Sequence, residues 1–235
     1  MVGPKVEMLE IGRSVKGDHA IAVINEAGEV LTAKQSAGVP LLTVGAWAYP
    51  SRGEELYWVS VPETEGYYEG PHDDPGVRAA LSALLGFPAK IVKISDEPSP
   101  QRRIDGQPVR PDTFADEVDI HIVTSASVQA AEELTRTRGM VRRTRPQVVI
   151  QTLDDILPWA EVGWVGQRMR IGNNLVVKLD NRTRRCALPG RPQFQLEAAP
   201  NLLRWLKTHQ DNRFGLSASI VEPGTIRYGD VIALV

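Results

Sequence analysis

A chain of 235 residues with 42% hydrophobic and 24% charged side chains is long enough to bury a substantial core, as one large domain or two smaller ones, and has the composition of a globular protein. Its 27 basic and 29 acidic side chains leave a formal charge of −2, so no whole-protein field recruits nucleic acid or an anionic membrane, and any anion site is local. The single cysteine excludes an intramolecular disulfide, no apolar run is long enough to span a bilayer, and no signal segment is read at Met1, which makes the cytoplasm the expected home.

The 20 glycines and 17 prolines are spread along the chain and predict many turns between short strands, a mainly β fold with a few short helices. Val6 to Ile11, Ala20 to Ile24 and Glu29 to Thr32 read as strands, the last two joined by the turn Asn25 to Gly28. Leu41 to Trp47 and Leu56 to Val61 continue the pattern. From Glu54 to Asp74 the chain is acidic, and a solvated loop is the preferred reading of that stretch. Asp74-Pro75 caps a helix that presents Leu81, Leu84 and Leu85 and stops at Gly86. Lys90 to Ile94 is a strand. The proline-rich and charged run Glu97 to Pro111 is the expected boundary, dividing residues 1–97 from residues 98–235.

Beyond it, Val118 to Val123 alternates as a strand, and Ser125 or Ser127 caps a helix ending near Gly139, with Val128, Ala131 and Leu134 inward. Arg136, Arg138, Arg142, Arg143 and Arg145 form the densest basic run. A helix end explains the first two; the last three lead into a strand at Pro146 to Gln151, and their forks match phosphate or carboxylate. Arg168 to Ile171 and Leu175 to Leu179 form a hairpin through Gly172-Asn173-Asn174. A short helix begins near Pro200, and strands at Leu216 to Val221 and Val231 to Leu234 close the chain between turns at Glu222-Pro223-Gly224 and Tyr228-Gly229-Asp230.

The hairpin delivers the chain to Asp180 to Pro189, where Cys186 follows Arg182, Arg184 and Arg185. Guanidinium charges favour the thiolate, the reactive form of cysteine. On local composition alone, a small buried hydrophobe is the commoner role of a lone cysteine. The histidines His19, His72, His121 and His209 are scattered without metal-ligand spacing, and His121 on an apolar strand reads as a packed, satisfied imidazole. No glycine-rich phosphate loop or serine elbow is present, which disfavours P-loop, Rossmann and α/β-hydrolase enzymes.

Pro100-Gln101-Arg102, Thr124 to Ser127, Arg145-Pro146, Gly163 to Gly166, Arg170-Ile171-Gly172, Arg185-Cys186, Phe214-Gly215, Val221 to Gly224 and Tyr228-Gly229-Asp230 follow in an order and spacing that resembles the MOSC domain, named for the carboxy-terminal domain of molybdenum-cofactor sulfurase. The amino-terminal half is similar to the β-rich domain that often precedes it, through Gly17-Asp18-His19, Ala22 to Ile24 and Leu31 to Lys34. The resemblance implies a MOSC-type β-barrel after a small β-rich lobe. It also implies one of two chemistries. In one, Cys186 is the protein thiolate on molybdenum held by a pterin cofactor, Arg145 with Arg143 and Lys34 grips the cofactor phosphate, His19 and Arg185 line the cofactor, and N-oxygenated small molecules are reduced with electrons from a partner. In the other, Cys186 carries sulfur as a persulfide received from a pyridoxal-phosphate-dependent cysteine desulfurase, its charge stabilised by Arg184 and Arg185. A third expectation is a non-catalytic protein that binds an anion in the arginine-lined pocket. Against the family pattern, His19 stands where an arginine is usual, Gln147 where an asparagine is usual, and the chain is read as starting after the family's opening Pro-Val-Lys-Ser strand.

Overall fold

The computed structural model describes residues 8–11, 20–31, 37–49, 54–93, 103–109, 120–153 and 155–235. The described chain is mostly β, and it divides into two compact units. The first is built mainly from Asp18–Phe114, with Pro192–Glu197; the second from Ala115–Arg191 and Ala198–Val235, with β1 (Met8–Ile11). The expected boundary at residues 97 and 98 lies outside the described residues. No helix among them is long and apolar enough to cross a membrane.

In the first unit, β2 (Ile21–Asn25) pairs antiparallel with β3 (Val30–Leu31), and β4 (Thr43–Tyr49), β5 (Glu54–Glu63) and β6 (Gly66–Pro71) form an antiparallel meander. Helix α1 (Pro75–Leu85) follows, and β7 (Ala89–Lys93) returns to the free edge of β2. The core joins Val23 and Leu31 to Val59, Val61, Val77 and Leu81. The capping prediction holds in detail: Asp74 Oδ1 accepts from the backbone N–H groups of Gly76 and Val77, and Gly86 ends the helix at φ 77°.

The acidic stretch from Glu54 to Asp74 is not a loop. It is the hairpin of β5 and β6, because Tyr57, Val59 and Val61 alternate into the core, while Glu65 lies in the turn and Glu63 and Glu69 are exposed. Glu69 is even engaged, accepting from the Ser60 hydroxyl at 2.6 Å. The strand expected at Leu56 to Val61 is present within β5; the charge count hid the turn and β6, and burial of the alternate apolar residues decided the structure.

The second unit is organised on a six-stranded sheet in the order β14-β10-β11-β12-β8-β9. Strand β8 (Ile120–Thr124) is followed by α2 (Ser125–Thr135) and α3 (Met140–Thr144) before β9 (Val148–Ile150), which lies parallel to β8 as a crossover connection requires. The β10 (Arg168–Ile171) and β11 (Leu175–Arg184) hairpin is as predicted, except that β11 runs on to Arg184. Helix α4 (Pro200–His209) buries Leu202 and Leu206, and β12 (Arg213–Glu222) then runs between β11 and β8. Strand β13 (Gly224–Arg227), hidden between two turn signals in the sequence, pairs with β1, and β14 (Ile232–Leu234) edges the sheet beside β10. The main core is Ile120, Ile122, Met169, Leu175, Val177, Leu179, Leu216 and their neighbours.

The α2 region departs from expectation in three ways. The cap is Thr124, whose Oγ1 accepts from the Ser127 N–H; the helix stops at Arg136, which takes a left-handed φ of 51°; and Leu134 faces solvent. Instead of leading straight into a strand, Arg142 and Arg143 lie on the separate helix α3 and Arg145 caps it. Gly139 at φ 78° makes the break, a conformation that only glycine takes without cost.

A bulge shapes the strand ends nearest Cys186. Arg182 pairs with Leu216 but Arg184 pairs with Arg213, so β12 carries an extra residue around Phe214-Gly215. Gly215 supplies it at φ 70°, where a Cβ would lie 2.5 Å from both His121 Nε2 and the Ile122 carbonyl oxygen. Gly215→Ala should therefore cost about 2–4 kcal/mol, combining left-handed strain with overpacking. Gly229→Ala, also at positive φ but with nothing within 4 Å, should cost only about 1 kcal/mol. Urea unfolding of both variants checks the difference; equal costs would mean the space at Gly215 is not limiting.

Candidate functional site

Cys186 lies just past the end of β11 and its side chain is exposed. It is therefore not the small buried hydrophobe that composition alone favours. A strand that has run out of partners leaves its next residues free to turn, and a short 3-10 turn at Leu188–Gly190 bends the chain away, burying Pro189 and Gly190. The thiol stands at that corner. Of the three preceding arginines, Arg184 is exposed, Arg182 donates to Gln210 Oε1 at 2.6 Å, and Arg185 turns inward.

Arg185 is held from three directions. Its backbone N–H donates to the Asn212 carbonyl at 2.8 Å, its carbonyl accepts from Asn212 Nδ2 at 2.7 Å, and its Nη2 donates to the Thr144 carbonyl at 2.8 Å. Its Nε–H is buried and has no acceptor among the described residues. Burial pulls the guanidinium down to about 10; the neighbouring Cys186 opposes that shift and Arg145 adds to it. Cys186 and Arg145 thus both act on Arg185 through space. The cation remains charged at neutral pH.

Arg143 and Arg145 come from α3. Arg143 is buried, with Nε on the Arg138 carbonyl at 2.9 Å and Nη1 on the Pro189 carbonyl at 3.2 Å. Burial, reinforced by Arg142 and opposed by Glu132, lowers its affinity for the proton. Those contacts tie α3 to the turn that follows Cys186, a holding role for a guanidinium already engaged with main-chain oxygens. Arg145 closes α3 in the left-handed region at φ 53°, with its N–H on the Val141 carbonyl at 2.8 Å. The fold thus gathers Cys186, Arg185, Arg143 and Arg145, which are up to 43 positions apart in sequence. Lys34 and His19 lie outside the described residues.

Three participants were not read as site residues. Asn212 grips both backbone groups of Arg185 from φ 54°, and the polar pair Asp211-Asn212, a type that tolerates such turns, was its only sequence signal. Gln147, in the place of the family's asparagine, accepts from the His121 N–H through Oε1 at 2.7 Å and donates its own N–H to the His121 carbonyl at 3.0 Å. His121 is buried with Nε2 at 3.1 Å from the Phe214 carbonyl, in agreement with the satisfied imidazole expected of it.

Burial, then the charge of Arg185, push the His121 ring down to about 3, against the opposing pull of the backbone acceptors of Phe214, Thr144 and Arg145. The unfolded chain takes up this proton near about 6.5. The folded-state value is depressed, so stability is complete above pH 6.5 and declines as pH falls toward 3, by about 1.4 kcal/mol per pH unit for this group. His121→Gln should remove that slope, and the wild-type minus variant stability should be flat above pH 7 and pH-dependent below 6. Denaturant unfolding across this range reads it; a difference that stays flat would show that the ring titrates normally.

Residues 110–233 match the sequence profile of the MOSC domain, more than half of the chain. Among solved structures, the chain is similar to YiiM from Geobacillus stearothermophilus, at 17% identity and a TM-score of 0.37, over 50% of this chain and 54% of that one. It is also similar to the YuaD protein from Bacillus subtilis, at 15% identity and a TM-score of 0.40, over 54% of this chain and 66% of that one. The chain thus spans less than two thirds of the length of either. No curated protein matches it. With the profile covering the six-stranded sheet and the Arg185-Cys186 corner alike, the chain belongs to the MOSC domain family.

Proposed function

We propose that this MOSC chain binds a molybdenum-pterin cofactor through the thiolate of Cys186 and reduces N-oxygenated small molecules. The family is associated with binding of that cofactor. The observation that carries the reading is the exposed thiol beside a cation whose buried Nε–H has no acceptor among the described residues. A soft thiolate suits molybdenum, and a cationic corner suits an anionic group set against it, so the residues present fit such a ligand. When bound, the group supplies a two-electron couple, enough to break an N–O bond with uptake of two protons and release of water, the electrons coming from a partner protein.

The chain's own residues would hold and orient. Cys186 provides the ligand atom, Arg185 keeps positive charge beneath it, and Arg145 at the end of α3 is the candidate for the phosphate. Arg143, with its guanidinium on two carbonyls, supports the grip by fixing the turn after Cys186. We read the first unit as the β-rich domain that precedes MOSC. The cytoplasm is the compartment this reading favours.

That same engagement of Arg143 favours a second reading, since it leaves fewer arginines for a phosphate. Here Cys186 is a sulfur carrier. Its thiolate attacks the terminal sulfur of a cysteine desulfurase persulfide, a new S–S bond forms, the donor's S–S bond breaks, and the donor cysteine leaves as thiolate.

Metal analysis of protein made in a cofactor-producing host separates the two. Molybdenum equimolar with the chain, lost in Cys186→Ser and reduced at least about tenfold in Arg145→Gln, is the expected outcome. Molybdenum-free protein that stays empty after addition of cofactor would overturn the first reading. One added sulfur on Cys186 by mass spectrometry, after incubation with a desulfurase and cysteine, would then support the second.

A further inference from the structure

His121 is an expensive choice for its position. It is 3% exposed, on a strand whose other side chains are apolar or, like Thr124, bonded, and an imidazole buried there costs free energy unless its nitrogens are matched. A leucine or valine would fill an interior strand position without that cost. The compensation lies in its partners, which all belong to segments that carry the thiol site.

Nε2 faces the Phe214 carbonyl at 3.1 Å, inside the bulge that sets Arg213 opposite Arg184. The same nitrogen occupies the space a side chain at Gly215 would need. The backbone acceptors of Thr144 and Arg145, in the left-handed turn that ends α3, also pull on the ring, and the His121 backbone is bonded to Gln147 two residues beyond that turn. The Thr144 carbonyl in addition receives Nη2 of Arg185. From the strand side, Gln147 clamps both backbone groups of His121. One ring therefore sits at the meeting point of the β12 bulge, the α3 turn and the Arg185 guanidinium.

We propose that His121 is a positioning residue of the thiol site: bonded to the Phe214 carbonyl and set against the Thr144-Arg145 turn, it fixes the directions from which Arg145 and Arg185 present positive charge to Cys186. The role rests on the reading of Cys186 as a working thiol, and holds for either chemistry at that thiol. His121 itself touches no reacting atom.

The test uses the full chain without cofactor and compares alkylation of Cys186 by anionic iodoacetate and neutral iodoacetamide at one pH. Both reagents consume the same thiolate, so the ratio of their rates reports the local cationic field and not the thiolate fraction. Arg145→Gln should lower that ratio by about threefold. His121→Phe, which keeps the ring volume and loses both nitrogens, should lower it as far, and the double variant should fall no further, since both changes remove one arrangement. His121→Gln, which keeps a donor for the Phe214 carbonyl, should restore most of the wild-type ratio; if His121→Phe fails to fold, the smaller His121→Leu, likewise without ring nitrogens, takes its place. A ratio unchanged by His121→Phe, or by His121→Leu in its place, in protein that unfolds cooperatively, or one that falls additively with Arg145→Gln, overturns the proposal while leaving the molybdenum result untouched. A ratio indifferent to Arg145→Gln overturns it as well, whatever the metal analysis gives. Empty protein in that analysis with the expected ratios defeats only the cofactor reading.

Discussion

The hydrogen bond from Arg185 Nη2 to the Thr144 carbonyl joins the end of β11 to the end of α3, and the charged surroundings of Cys186 depend on it. A guanidinium drawn inward cannot stand without acceptors. Here the acceptor is a main-chain oxygen freed by the end of a short helix, which leaves the last carbonyls of α3 without intrahelical partners. The strand needs a place for its cation and the helix needs donors for its carbonyl end. Each supplies what the other lacks, and the left-handed cap at Arg145 follows from where that exchange occurs.

Around this bond the second unit tolerates an unusual set of buried polar groups. Arg143 closes two carbonyls, His121 meets the Phe214 carbonyl, and the Glu161 carboxylate accepts from the hydroxyls of Thr124 and Ser127 at the start of α2. Glu161 is well placed there, since a helix amino terminus favours negative charge, and it anchors the segment between β9 and β10 to α2. Such networks rigidify where apolar packing would allow sliding. The apolar core of the same unit lies along the sheet, in Met169, Val177, Leu179 and Leu216, and supplies the platform from which the polar corner projects.

Much of this was legible because it is local. Asp74-Pro75 and Gly86 announced α1, Gly172-Asn173-Asn174 announced the β10–β11 hairpin, and Arg185-Cys186 within its framework announced the corner and the MOSC family. The misreadings have equally definite causes. Counting carboxylates from Glu54 to Asp74 hid β6, the partner that turns the expected strand at Leu56 to Val61 into a hairpin. Arg136 ends a helix as expected, but Arg142, Arg143 and Arg145 do not lead straight into a strand: Arg142 and the buried Arg143 lie on α3 and Arg145 ends it, because left-handed residues at Arg136 and Gly139 separate α2 from α3. Leu134, placed inward by periodicity, is exposed because the buried face of α2 runs through Ser127, Ala131 and Thr135.

The amino-acid sequence by itself determined most of the strands and turns, the cap of α1 and the family, and singled out Cys186, since these depend on residue type within a few positions or on ordered motifs. Only the tertiary structure decided that Cys186 is exposed, that Arg185 is anchored by Asn212 and Thr144, and that Arg143 holds backbone instead of facing outward. The physical reason is that a guanidinium's partner is chosen by which carbonyl or anion lies within about 3 Å of it. For Arg185 the guanidinium's partner comes from 41 positions away and the backbone's from 27, pairings that no local pattern encodes and that the packing of α3 and β12 against the end of β11 creates.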